Sequence, residues 1–183
     1  GRGLSKVTVS HDGVVIVGAG LGGIRVAENL RANGYEDSIT LIGAEVHPPY
    51  DRPPLSKSVL RGEHDRVDLK PAEFFTDADI TFRSGQRVTA IDTESRTVTV
   101  EFVDSPERTE TIGYAHLVLA TGLTPRTLSG TPADVGGLHV LRTVDDALAL
   151  RAELVTATTA VVIGAGFVGC EVAASLVATG LAV

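Results

Sequence analysis

Apolar residues run unbroken at Val14–Val17 and again at 161–163, and each run leads into glycines and then into spaced apolar positions. A short continuous apolar run suits a strand buried on both faces of a parallel sheet. Downstream, Ile24, Ala27 and Leu30 in one stretch, and Val172, Leu176 and Val177 in the other, recur at the spacing of a helix face. Gly34 and Gly180 stand where a helix would end in a left-handed cap. Strand, glycine turn, helix is therefore predicted twice. The two stretches are copies: aligned without gaps, 14–34 and 160–180 share ten of 21 positions. Val15, Gly18, Ala19, Gly20, Gly23, Val26, Ala27, Leu30, Ala32 and Gly34 recur as Val161, Gly164, Ala165, Gly166, Gly169, Val172, Ala173, Leu176, Ala178 and Gly180.

Between the copies, 38–42 reads as a second strand, and 47–54 as an irregular loop held by prolines. Residues 72–79 predict a short helix leading to a strand near 80–82. The stretches 87–91 and Thr97–Phe102 alternate β-formers around a turn, as in a hairpin or meander. Residues 116–120 form a further buried strand, and Pro125, Gly130, Pro132, Gly136 and Gly137 mark a boundary. Val144–Leu154 is helical, with Thr143 as N-cap and Asp145 and Asp146 in the first turn. The expected fold is α/β: two Rossmann-like dinucleotide-binding units with central parallel sheets and a β-meander. About 20 residues follow Gly164, whereas a βαβ unit needs about 30. The second unit is therefore expected to be incomplete, with a first domain over 1–126 and a truncated second over 127–183.

Composition narrows the chemistry. Sixteen basic residues against 23 acidic ones give a net charge of −7, which argues against a general binder of nucleic-acid backbones. No apolar run is long enough to span a bilayer, and with no secretory leader in the sequence the expected location is cytoplasmic. The single cysteine, Cys170, excludes an internal disulfide and a Cys-rich metal site, and reads as a small packing residue. His11, His47, His64, His116 and His139 show no metal-ligand spacing, so no metal site is expected. The chain lacks methionine, so Gly1 is not a translational start and Gly1-Arg2-Gly3 reads as a processing scar.

Glycine recurs at G-x-G-x-x-G for three separate reasons. The first permits a tight turn, the second lets backbone approach a pyrophosphate, and the third lets helix pack on strand. The phosphates then meet the unpaired N–H groups of a helix N-terminus. Gly18, Gly20 and Gly23, and in the second copy Gly164, Gly166 and Gly169, are the candidates. An acid about 20 residues on should bond a ribose hydroxyl. Glu45 is that candidate, or else a solvated loop acid. Lys57 follows a rigid proline pair, which suits a preorganised cation as well as a loop lysine. Glu171 stands where the first copy has Arg25, and could complement a helix dipole or serve a glycine-lined cleft.

PYDRPPLSK at 49–57, LATG at 119–122 followed by Pro125-Arg126, LRTVDDA at 141–147 and the two fingerprints together resemble the flavin-dependent ferredoxin reductases. These belong to the two-dinucleotide-domain flavoproteins that serve monooxygenase and ring-hydroxylating dioxygenase systems. The resemblance runs from about residue 12 to the end. It implies FAD on the first unit, NAD(P)H on the second, and electron delivery to a small iron–sulfur protein, a ferredoxin or rubredoxin. It places Gly18, Gly20, Gly22 and Gly23 at the FAD pyrophosphate, Arg52 and Lys57 at the flavin, and Val88 at the adenine. Ala120, Thr121, Gly122 and Arg126 line a second FAD turn, and Arg142 makes a further contact. Glu171 matches a glutamate near the flavin, paired with Lys57. The family usually has an acid at position 44, where this chain has Ala44. Disulfide reductases of the superfamily carry a cysteine pair after the second strand; HPPYDRPPLSK stands there instead, which excludes that activity. Competing expectations are an apoptosis-inducing-factor-like interaction module, another disulfide-free FAD enzyme of the fold, or a fragment that holds no cofactor stably.

Overall fold

The computed structural model describes residues 10–128, 130 and 135–183. Pro132 and Gly1-Arg2-Gly3 lie outside them. The chain divides into two compact units: Leu69–Gly122 with the described residues up to Pro49, and Tyr50–Asp68 with the described residues from Leu123 on. The 50–68 segment, read from sequence with the first 126 residues, thus groups with the later part of the chain.

In the first unit, β1 (Val14–Val17), β2 (Ile39–Ile42), β3 (Ile80–Arg83) and β7 (His116–Leu119) form a wholly parallel sheet in the order β3-β2-β1-β7. All four β1 residues are buried, as a central strand covered on both faces requires. The helix α1 (Leu21–Ala32) covers one face through Ile24 and Ala27. A short helix α2 (Glu73–Asp77) precedes β3, and its own Phe74 and Phe75 pack on the same cluster. The other face is covered by an antiparallel meander of β4 (Gln86–Asp92), β5 (Thr97–Phe102) and β6 (Ser105–Gly113), through Val98 and Val100. Fully burying one such Ile, Leu or Val contributes about 2 kcal/mol. Strand β7 departs from expectation. Among the described residues it lies at the sheet edge, paired only to β1, and its ends are exposed where a buried strand was anticipated.

One side chain ties three turns of this unit together. Arg31, near the end of α1, has only 17% of its side chain exposed. It donates to the backbone carbonyls of Tyr35, Asp37, Ala78 and Asp79 at 2.6–2.8 Å. Charge-assisted bonds of this kind contribute about 1.5–3 kcal/mol each and do not add. Arg31→Ala is expected to cost about 3 kcal/mol, and Arg31→Lys nearly as much, because one ammonium cannot span the fork. Urea unfolding of both variants checks this; a loss below about 1 kcal/mol would show the four bonds to be dispensable.

In the second unit, α3 (Val144–Leu154) and α4 (Phe167–Ala178) pack with a 3₁₀ turn at Pro53–Ser56. Tyr50, Leu55 and Val59 meet Val144 and Ala147, while Leu60 meets Leu176 and Leu181. Thr143 caps α3 in a reciprocal box with Asp146, as the sequence indicates. The expected strand at 161–163 is not formed. Among the described residues the segment has a single parallel bridge beside it, Thr159 to Ala182, and Val161 and Ile163 are 88% and 70% exposed. An apolar run becomes a strand only when neighbours complete its ladder, and within the described residues none flanks it.

Candidate functional site

The carboxyl ends of the parallel strands gather at one edge of the first unit. Strand order reverses at β1, with β2 on one side and β7 on the other, which is where ligands bind in open α/β sheets. The glycine turn lies there, and each glycine has a different reason. Gly18 takes φ +110°, and a Cβ on it would lie 2.1 Å from the Ala120 carbonyl oxygen. A Cβ on Gly23 would lie 1.9 Å from the Gly18 oxygen. Gly20 differs: a Cβ there would meet no described atom within 4 Å. Turn, packing and open cradle are the three roles the spacing assigns. Gly43, not singled out from sequence, also matters. A Cβ on it would come within 2.8 Å of the Ala19 Cβ, so its bareness lets the turn sit close to the end of β2.

The cradle suits an anion. Within α1 the first backbone bond is Ile24 N–H to the Gly20 carbonyl, and among the described residues no side chain caps the N-terminus and no acid stands in its first turn. Its free N–H groups and dipole face the space beside Gly20. An FAD pyrophosphate fits there on both counts. Glu45 lies three residues beyond β2 at the same edge, half-buried, its carbonyl accepting the Gly85 N–H at 2.9 Å. Ala120 borders Gly18 and Gly22, while Thr121 and Gly122 are exposed. Val88 turns its side chain into the core below the meander, immediately before a register shift in β4.

The second unit repeats the turn. Gly164 takes φ +114°, Gly166 is the α4 N-cap at φ −76° and ψ 178°, and a Cβ on Gly169 would lie 2.1 Å from the Gly164 oxygen. The matching values at Gly20 are φ −81° and ψ −171°. Among the described residues α4, like α1, has no side-chain cap and no acid in its first turn. Glu171, the fifth residue of α4, thus lies too far in to complement the dipole. Cys170 is exposed, not packed, on the α4 stretch where Phe167 is 92% exposed.

Lys57 and Glu171 meet in this second unit, Nζ to Oε2 at 2.6 Å. Lys57 also donates to the Pro53 carbonyl at 3.1 Å. Sequence reasoning missed the third member: Ser56 donates its hydroxyl to the same Oε2 at 2.6 Å. The Lys57 bond first and the Ser56 bond second hold the Glu171 carboxyl below the usual carboxylate range, against a partial desolvation that pushes it up. Arg52 and Arg142 also come together, the Arg52 guanidinium donating to the Arg142 carbonyl and to the Tyr50 hydroxyl. Tyr50 in turn accepts the Val144 N–H at 2.9 Å, joining the proline loop to the start of α3. Arg126 is exposed.

The chain matches the pyridine nucleotide-disulphide oxidoreductase family over residues 12–183. It is 42% identical over 170 residues to rhodocoxin reductase of Rhodococcus erythropolis, covering 92% of this chain and 38% of that protein. Rubredoxin-NAD(+) reductase of Pseudomonas putida is 37% identical over 169 residues, with 91% and 42% covered. The solved covalent putidaredoxin reductase–putidaredoxin complex superposes with a TM-score of 0.84 at 37% identity, over 94% of this chain and 41% of that one. The chain spans about two fifths of the length of the relatives it matches. No helix among the described residues is long and apolar enough to cross a membrane.

Proposed function

Because the chain belongs to the pyridine nucleotide-disulphide oxidoreductase family, we propose that it serves an NAD(P)H-dependent, FAD-containing reductase that passes electrons to a small iron–sulfur protein of an oxygenase system. Residues 1–126 are assigned to FAD and 127–183 to the opening part of an NAD(P)H domain. The observation that carries this is the duplicated turn: two uncapped helix N-termini, each behind a glycine with room in front of it. A packing motif would need the first and third glycines but not the bare second one. The names of the relatives, rhodocoxin, ferredoxin and rubredoxin reductases, support the choice of acceptor. The cytoplasm is the proposed location.

When bound, nicotinamide and flavin supply hydride and single-electron chemistry between them. The protein places and shields. Gly18, Gly20, Gly22 and Gly23 hold the FAD pyrophosphate, Glu45 takes the adenosine ribose, and Gly164, Gly166 and Gly169 hold the nicotinamide dinucleotide. Val88, Ala120, Thr121, Gly122, Arg52, Arg126 and Arg142 complete the FAD contacts. Lys57 and Glu171 form a gating ion pair that parts when nicotinamide arrives.

Purification with FAD is expected to give a yellow protein whose flavin band bleaches with NADH or NADPH and recovers on adding an oxidised ferredoxin. Lys57→Met and Glu171→Gln should keep their flavin while slowing that bleaching at least ~10-fold, the scale of a misplaced reactant. A colourless protein that takes up no FAD would overturn the assignment; wild-type bleaching rates in both variants would remove the gate.

A further inference from the structure

Ser56 and Ser175 are the two polar residues that lie buried among the described ones, 4% and 2% exposed, and they face each other. A buried hydroxyl must find partners or lose its hydration uncompensated. Ser175 Oγ donates to the Ser56 carbonyl at 2.7 Å, with the Arg61 guanidinium 3.4 Å from the same Oγ. The Ser56 hydroxyl has one proton and two acceptors within reach: Glu171 Oε2 at 2.6 Å and the Pro53 carbonyl at 3.4 Å. The shorter, charge-assisted bond takes it. Glu171 and Ser175 stand four residues apart, so one face of α4 presents both to the end of the 3₁₀ turn.

Glu171 thus has two donors on one oxygen, and they are built differently. Lys57 is a half-exposed ammonium on a flexible four-carbon stem. Ser56 is buried, carries a single rotatable bond, and has its backbone pinned by α4. We propose that Ser56, locked by Ser175, is the positioning residue that keeps the Glu171 carboxylate in place, so that when the ion pair parts it is Lys57 that leaves and Glu171 that stays. This deepens the gate proposed above and rests on that reading for its role in electron transfer.

The test follows the Glu171 carboxyl by carbon-detected NMR in the cofactor-free protein, reading its titration midpoint and its side-chain order. Lys57→Met is expected to raise the midpoint while Glu171 keeps one ordered rotamer. Ser56→Ala should raise the midpoint with Lys57 intact and leave Glu171 averaging among rotamers. Ser56→Thr, which keeps the hydroxyl, should restore wild-type order, and Ser175→Ala should give part of the Ser56→Ala effect. The proposal is overturned if Ser56→Ala leaves midpoint and order unchanged, or if Lys57→Met by itself frees the side chain. Either result leaves the flavin assignment standing, while a protein that takes no FAD sinks that assignment without moving these readings.

Discussion

Gly23→Ala is expected to destabilise the protein by at least ~3 kcal/mol although it adds one methyl group to a helix. The new Cβ would lie 1.9 Å from the Gly18 oxygen and 3.1 Å from both the Gly18 carbonyl carbon and Leu41 Cδ1. The first two are backbone atoms of the turn itself, so no rotamer change relieves the overlap. Either α1 lifts from the sheet, uncovering Ile24 and Ala27, or the turn after β1 opens. Gly18→Ala should be as damaging, since its Cβ would lie 2.1 Å from the Ala120 oxygen at a φ of +110° that L residues rarely adopt. Gly22→Ala is the control. Its Cβ makes an ordinary 3.9 Å contact with Ala120 Cβ, and helix propensity then favours alanine by up to ~1 kcal/mol. Thermal and urea unfolding compare the three. If Gly23→Ala melts with Gly22→Ala, the close approach of helix and turn is not what the third glycine serves.

The glycine spacing behind these effects is legible because it is local, whereas the close approach of Gly18 to Ala120 is not. Period-2 and period-3.6 patterns, glycine spacing and the Thr143 cap are all set within a dozen residues, and β1, α1, β2, β3, β5 and α3 follow them. What depends on distant partners was not readable. Residues 161–163 carry the same apolar signal as Val14–Val17, but a strand is a property of a ladder, and among the described residues only the first run has strands on both sides. Strand β6 alternates threonine, glutamate and arginine with both faces largely exposed, so its nine residues give no burial rhythm to read. The Arg31 clasp closes on backbone carbonyls up to 48 residues away, and a carbonyl has no letter in a sequence. The candidate site divides in the same way. The glycines announced themselves, and the Lys57–Glu171 contact came from resemblance. Ser56 and Ser175 looked like any other serines until their burial and mutual distance set them apart.

Gly20→Val should do the opposite of Gly23→Ala: leave stability within ~0.5 kcal/mol of wild type and weaken FAD retention by about two orders of magnitude, equivalent to ~2.7 kcal/mol. Gly20 sits at φ −81° and ψ −171°, extended backbone that any L residue adopts, and a β-branched side chain is at ease there. Its Cβ would meet no described atom within 4 Å, so the fold has no cause to resist it. The added volume instead fills the approach to the free N–H groups of α1, the one place from which a pyrophosphate can take them. Stability and ligand binding are thereby assigned to neighbouring glycines of a single turn, and the two substitutions separate them. Gly166→Val supplies the matching arm: with the same extended backbone and the same open space, it should weaken NAD(P)H and spare FAD. Flavin fluorescence during dialysis, read beside urea unfolding, measures both quantities on one sample. Retention of FAD by Gly20→Val at wild-type strength would mean that the pyrophosphate does not lie against this turn, because no other property of position 20 requires glycine.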